Sequence, residues 1–256
     1  MKYIDIHNHI IPAIDDGAKS VEEAIQMLKA AERTNIDKII TTPHYREEYY
    51  LNTKEVIEAE IKTLKALIKS HKLNIDIYPG SEVYLTKSTA EGLNNGVIQT
   101  LNNSSYVLIE FFPYSDYWRF NVLDELYNLT LDGYKVIIAH PERYDITHRN
   151  PNFIYDLVNA GYYIQVNVNS LKSNHPNHKL SLKLLDHNLV HFIASDAHDL
   201  INRPLSLHEG YEYVKTHYNE DYANTLFNDN PLKVIENKMI DSSNFRKIKK
   251  FFIFSK

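Results

Sequence analysis

Short apolar runs rich in Ile, Val and Tyr recur along the chain, and longer stretches with helical apolar spacing lie between them. The runs predict strands over 3–7, 38–42, 75–79, 106–110, 135–139, 162–168 and 190–195. Ser20 followed by Glu23 is a capping-box pattern, and Ala24, Ile25, Leu28 and Ala31 continue it at helical spacing. Over 53–68, Val56, Ile57, Ile61, Leu64, Leu67 and Ile68 form one face of a second helix. Further helices are predicted over 120–131, 153–160, 180–187, 205–217 and 222–227. Strand then helix, repeated about seven times, implies parallel strands joined by right-handed crossovers.

Two architectures fit that alternation. A doubly wound open sheet gathers its chemistry at one switch point, whereas a barrel draws it from the C-terminal end of every strand. Here His7, His9, Asp16, His44, Glu82, Glu110, His140, Asp196 and His198 each lie at or just beyond the end of an apolar run. That distribution favours an α/β fold of the distorted (β/α)7 TIM-like barrel type, with a metal site at the C-terminal face of the strands.

Composition narrows the function. A length of 256 residues suits one barrel, and only 7 glycines with no Pro/Ser-rich stretch argue against a linker between domains. A net charge of -5 disfavours nucleic acid as a general partner. The absence of cysteine excludes disulfides, thiolate zinc sites and cysteine nucleophiles. No apolar run has the length of a membrane span and the start lacks a secretory core, so a cytoplasmic location is expected. Residues 242–256 differ from the preceding 1–241: they carry Arg246, Lys247, Lys249, Lys250 and Lys256, four phenylalanines and no acid. This tail either docks Phe245, Ile248 and Phe252 on the core or touches an anionic membrane or a partner.

The nine polar residues are candidate metal ligands for physical reasons. His7 and His9 stand at i and i+2 of an extended segment, as do Asp196 and His198, so each pair shares a side of the chain. In a closed barrel the first and last strands are neighbours, and the two pairs meet. Acids such as Glu82 and Glu110 at the ends of buried strands need a cation, either a metal or an arginine. Asp15 reads as the cap of a turn, whereas Asp16, seven residues past His9, reads as a ligand. The other histidines read as surface or core-edge residues.

The run Ile4-Asp5-Ile6-His7-Asn8-His9 followed by Asp15-Asp16-Gly17 resembles the opening of the PHP (polymerase and histidinol phosphatase) superfamily. Tyr106 to Glu110, His140-Pro-Glu-Arg143-Tyr144, Gln165-Val-Asn167, Ala194-Ser-Asp196-Ala-His198 with Arg203-Pro204, and Asn228 to Pro231 extend the likeness over nearly the whole chain. They resemble most the manganese-dependent tyrosine-protein phosphatases of Gram-positive capsule and exopolysaccharide clusters, the CpsB/CapC type. The resemblance implies a (β/α)7 barrel and three metal ions. His7, His9, Glu82 and Asp196 would hold one, a bridging Glu82 with Glu110 and His140 a second, and Asp16, His44 and His198 a third. Carboxylates at Asp16 and Glu110, where many other PHP phosphatases carry histidine, favour Mn²⁺ or Fe over Zn²⁺.

The expected chemistry is hydrolysis of phosphotyrosine by activated water, with Arg143, Arg203 and Glu110 as catalytic residues. Both arginines follow ligand-bearing strand ends and suit bidentate phosphate binding; the alternative is an ion pair with Glu110 or an Asp. Tyr45, Phe112 and Tyr114 are candidates to meet the substrate ring. The implied partner is a membrane-associated tyrosine autokinase controlling polysaccharide export, which places the protein at the inner face of the membrane. Competing readings are a small-molecule phosphomonoesterase or nuclease on the same scaffold, and a non-catalytic metal-binding module.

Overall fold

The computed structural model describes residues 2–118 and 120–248. Its strands are β1 (Tyr3–Asp5), β2 (Ile36–Ile40), β3 (His44–Arg46), β4 (Tyr50–Leu51), β5 (Asp76–Tyr78), β6 (Glu82–Tyr84), β7 (Tyr106–Glu110), β8 (Lys135–Ala139), β9 (Tyr163–Asn167) and β10 (Phe192–Ala194). The helices are α1 (Val21–Arg33), α2 (Lys54–Ser70), α3 (Thr89–Asn94), α4 (Val122–Leu131), α5 (Asp145–Arg149), α6 (Asn152–Asn159), α7 (His178–Asp186), α8 (Leu207–His217), α9 (Glu220–Asn224) and α10 (Asn230–Ile235). A π turn, Thr225–Asp229, joins the last two. The fold is α/β. Every strand pairing is parallel except the β3–β4 hairpin.

All the predicted strands form, with ends trimmed by a residue or two. The pattern missed β3, β4 and β6, which are too short to show an alternation. Each of β3 and β6 resumes a strand that has just been interrupted. Pro43 follows β2 and Pro79 follows β5, and a proline has no N–H for the ladder. Beyond the breaks, His44 pairs with Glu82, which brings two predicted ligands side by side. The helices α3, α5 and α10 were also missed, because five or six residues span less than two helical turns and show no repeating apolar face.

Hydrogen bonding divides the strands into a sheet of order β1-β2-β5 and one of order β10-β9-β8-β7-β6-β3-β4. Backbone bonds beyond the strand ends link the two. On one side Glu82 N–H donates to Pro43 O (3.1 Å) and Thr42 N–H donates to Asn8 O (2.8 Å). On the other, His9 N–H donates to Ala197 O (3.0 Å) and Asp196 N–H donates to His7 O (2.9 Å). The buried Asp5 carboxylate reinforces that seam, accepting from Ser195 N–H (3.0 Å) and Asn8 Nδ2 (2.9 Å). The HxH pair and the DxH pair therefore meet, as their positions in the sequence predict.

Alternation along each strand separates two apolar clusters. Val107, Ile109, Ile138, Ile164, Val166 and Ile193 pack with the helices in the larger one. Ile4, Ile6, Leu108, Ile137, Tyr163 and Phe192 form a smaller cluster with Val234 and Ile240. Three strands carry that second face upward into polar residues: Tyr106-Leu108-Glu110, Tyr163-Gln165-Asn167 and Phe192-Ala194-Asp196. The apolar lower positions supply a packed floor, and the upper positions supply chemistry. Truncating a floor residue such as Leu108 to alanine would cost about 2–5 kcal/mol.

Local signals explain the helices that frame this face. Ser20 Oγ accepts from Glu23 N–H (3.2 Å), and the Glu23 carboxylate accepts from Lys19 N–H (2.7 Å) rather than from the cap residue itself. The face of α1 that is buried is Ala24, Met27, Leu28 and Ala31, and that of α2 is Ile57, Ile61, Leu64 and Ile68. At the far end, 242–248 lies against the body. His191 Nε2 bonds Ser242 Oγ (2.7 Å), and Ile248 exchanges bonds with the Asn152 side chain (2.9 and 3.0 Å). Phe245 packs edge-on to Tyr155 and Ile248 is buried, in line with the docking alternative; Lys249, Lys250, Phe252 and Lys256 lie outside the described residues.

Candidate metal centre

All nine candidate ligands converge, His44 and Glu82 from the first residues of β3 and β6 and the others from the C-terminal ends of β1, β7, β8 and β10 or the loops just beyond, in four overlapping groups within each of which the ligand atoms lie within 4.8 Å of one another. Around the first expected ion, His7 Nε2 is 3.1 Å from Glu82 Oε2 and 3.4 Å from Asp196 Oδ1, while His9 Nε2 is 3.3 and 3.5 Å from the same atoms. For the second, His140 Nε2 lies 2.7 Å from Glu82 Oε1 and 3.9 Å from Glu110 Oε1. For the third, Asp16 Oδ1 lies 3.3 Å from His44 Nε2 and 3.4 Å from His198 Nε2. Glu82 stands between the groups, since its Oε2 is also 3.1 Å from His44 Nδ1. Two of the ligands have positive φ, His140 at 31° and Asp196 at 51°, a conformation that costs free energy for a side-chain-bearing residue and gathers at functional sites.

The neighbours of the ligands fix which atoms are free. Gln165 Oε1 accepts from His140 N–H (3.2 Å), and Gln165 Nε2 donates to Asn167 Oδ1 (2.8 Å). That orientation leaves Gln165 Oε1 as an acceptor for His7 Nδ1–H at 3.0 Å. Asp15 does the same for His9, with Oδ2 accepting from Nδ1–H at 2.8 Å. Both imidazoles therefore present bare Nε2 lone pairs, which face each other at 3.2 Å among carboxylate oxygens. Glu82 Oε2, Asp196 Oδ1, His140 Nδ1 and His198 Nε2 are buried with no hydrogen-bond partner. Lone pairs packed this closely repel unless protons or cations lie between them. The donor set fits divalent ions.

The electrostatics agree. Burial opposes charge on His7 and His9, yet Glu82 and Asp196 raise His7, and Asp15 with those two carboxylates raises His9 well above the ordinary imidazole value. Cation-free, these rings take up protons that metal binding would release. Burial and then the nearby Glu82 push Glu110 up to about 7, against the opposing pull of His44 and Arg143. Burial and then Arg143 push His140 down to about 4, keeping it a neutral ligand.

Arg143 Nη1 lies 3.3 Å from Asp196 Oδ2, and Arg203 Nη2 pairs with the same oxygen. The ion pair weighed as the alternative role of these arginines is thus present. It does not exclude phosphate binding, since each guanidinium has five N–H donors and both line a polar groove of about 540 Å³ with Asn167, Lys172 and His175. Sequence reading took Asp15 for a turn cap, and its Oδ1 does accept from Gly17 N–H (2.9 Å). It missed that Oδ2 also orients His9 and accepts from His44 N–H (3.1 Å). It also gave no role to Glu142, whose Oε1 accepts from Asn167 N–H (2.9 Å) and Ser170 Oγ (2.8 Å) and so ties the β8 and β9 exits together. Among the suggested ring contacts, Tyr45 is buried in the core, whereas Phe112 is half-buried and Tyr114 exposed.

Imidazoles and carboxylates gathered at the strand ends of an α/β fold define a protein of the metal-binding hydrolase class. The family model for capsular polysaccharide synthesis, CpsB/CapC, matches residues 3–236, and the chain belongs to that family. It is 39% identical to the CapC protein of Staphylococcus aureus over 232 residues, covering 90% of this chain and 84% of that one. It is 34% identical to the tyrosine-protein phosphatase CpsB of Streptococcus pneumoniae, covering 93% and 100%. A crystal structure from work on YwqE of Bacillus subtilis and CpsB of Streptococcus pneumoniae, described as metal-dependent tyrosine phosphatases, superposes with a TM-score of 0.90 at 31% identity, covering 96% of this chain and all of the other.

Proposed function

We propose that the chain is a metal-dependent protein-tyrosine phosphatase, with its nine ligands arranged around three ions on the C-terminal face of one distorted seven-stranded barrel. The seam bonds at Asn8 and Ala197 and the continuation of β2 and β5 as β3 and β6 support a single barrel rather than two sheets. One observation carries the metal reading: the Nε2 atoms of His7 and His9 face each other at 3.2 Å among carboxylate oxygens, with both Nδ1 atoms already partnered by Gln165 and Asp15. Bound divalent ions supply a Lewis acid for the phosphate oxygens and a water of lowered pKa, and the four carboxylates beside five imidazoles harden the set toward Mn²⁺ over Zn²⁺.

The protein's own residues do the rest. Arg143 and Arg203 hold the phosphate through the N–H groups not engaged by Asp196, and Glu110 sets the far wall of the site. A water oxygen forms the new bond to phosphorus as the bond to the tyrosine oxygen breaks. The leaving phenolate has a conjugate acid pKa of about 10, so it departs without a strong general acid. The substrate we infer is a membrane-associated tyrosine autokinase of polysaccharide export, reached in the cytoplasm at the inner membrane face with weak help from the basic tail. Phosphate release from phosphotyrosine peptides by manganese-loaded protein tests the activity, and His140→Ala should abolish it. Greater specificity constants for small phosphomonoesters or nucleic acid would overturn the assignment.

A further inference from the structure

Beside the metal centre lies a groove of about 560 Å³ that the chemistry above does not use. Its wall grows directly out of the ligand segments. Arg46 stands two residues beyond His44 on β3, Tyr84 two beyond Glu82 on β6, and Phe112 two beyond Glu110. Residues at i and i+2 of a strand share a face about 7 Å apart, so the groove begins within reach of a residue adjacent to the phosphotyrosine. Trp118 and Phe120, from the loop before α4, complete the lining.

We propose that this groove binds a large apolar side chain flanking the phosphotyrosine of an extended peptide substrate. The occupant follows from the lining. Among the described residues the charged side chains at the groove are Arg46 and Lys87 against Glu47 and Glu48, two of each sign, so these four give no net preference for a charged residue. The Arg46 guanidinium is covered by the rings of Tyr49 (4.2 Å) and Tyr84 (4.4 Å), which holds it as part of the wall. What remains to select a ligand is aromatic surface, anchored by the Trp118 Nε1–H bond to Phe112 O at 2.8 Å. Continuity with the metal centre selects a peptide over an unrelated small molecule, because one ligand must reach both. The inference rests on the phosphatase reading.

The chain has a single tryptophan, so indole emission reports on this groove alone. The probes are pentapeptides with a non-hydrolysable phosphonodifluoromethyl phenylalanine at the centre and glycine elsewhere, compared with the same peptides carrying Phe or Leu immediately before or after it. On manganese-loaded protein, one of the apolar flanks should tighten binding about tenfold or more and shift Trp118 emission, in keeping with burial of one large side chain. Phe120→Ser should reduce that preference to within about twofold. Equal affinity across the series, or a preference without an emission change, overturns the groove. The peptide series on the unaltered protein stands by itself if the variant fails to fold. Turnover of glycine-flanked phosphotyrosine peptide reports separately on the phosphatase reading.

Discussion

Replacing Asp15 by asparagine isolates how the chain prepares His9 for a metal. The side chain is buried, with Oδ2 accepting from His9 Nδ1–H at 2.8 Å and from the His44 amide at 3.1 Å, while Oδ1 accepts from Gly17 N–H at 2.9 Å. An amide of the same shape keeps one carbonyl oxygen. If that oxygen stays on Gly17, an NH₂ group confronts two donors; if it turns, Gly17 N–H loses its partner. Either way a buried donor is left unmade, costing about 1–3 kcal/mol in the metal-free protein. His9 can escape by moving its proton to Nε2, which closes the lone pair aimed at Glu82 and Asp196.

The expected consequence is a loss of metal affinity of about 10–100-fold, or roughly 1.4–2.7 kcal/mol. Calorimetric titration of chelated protein with Mn²⁺ measures it directly. Turnover of a phosphotyrosine peptide against Mn²⁺ concentration should show the same displacement, with much of the rate recovered at saturation because every ligand remains. Affinity within twofold of the parent would refute the argument that Asp15 sets the His9 tautomer. A rate that stays lost at saturating metal, with affinity unchanged, would place Asp15 in the chemistry instead.

Other perturbations test separate links. A methyl group on Gly17 would sit 2.1 Å from His9 O and 2.5 Å from His9 Cβ. Gly17→Ala should therefore cost about 2 kcal/mol or more in denaturant melts and weaken metal binding with it. Glu142 is fully buried, and burial pushes it up to about 7 from an ordinary 4.5. Above pH 4.5 the unfolded chain sheds this proton while the native state keeps it, so stability from this group is full at low pH and falls as pH rises through 7. Its total is on the order of 3 kcal/mol. Glu142→Gln should flatten that part of the melting profile of metal-free protein between about pH 5 and 7; an unchanged slope would show that the carboxyl ionises normally. Deleting residues 242–256 removes the Ser242 and Ile248 contacts and should lower Tm by about 5 °C or more. Co-sedimentation with anionic vesicles, if equal with and without those residues, removes the membrane role assigned to them.

Sequence alone placed the seven strands and the nine converging residues because both signals are local or positional. An apolar run announces a buried strand, and a polar residue at its end announces the rim of the face. Roles carried by partners far along the chain left no such mark. Gln165 reaches His7 across 158 positions, and nothing near either residue in the sequence pairs them. Some signal was there: Gln165 and Asn167 are polar at alternate positions of an otherwise apolar strand, on the face that ends in ligands. The breaks at Pro43 and Pro79 were visible as prolines, but the resumption of the strands beyond them depends on β3 and β6 finding each other.

The charge balance at the centre explains why so many neighbours are spent on orienting rings. With the imidazoles neutral and every carboxyl ionised, Asp15, Asp16, Glu82, Glu110 and Asp196 carry five negative charges, and Arg143 and Arg203 return two positive ones. A phosphate dianion would meet net repulsion there in the absence of cations. Together with burial, the same excess holds Glu110 up to about 7, and it draws protons onto His7 and His9. Substrate binding and ligand geometry are thereby coupled through one quantity, the positive charge held between the HxH pair and the DxH pair. Asp15 and Gln165 direct that charge to Nε2, whether it arrives as a proton or as an ion, because each holds its histidine's other proton on Nδ1. The arginines cannot substitute for the ions, since both are already drawn onto Asp196 and have only their outward N–H groups to offer.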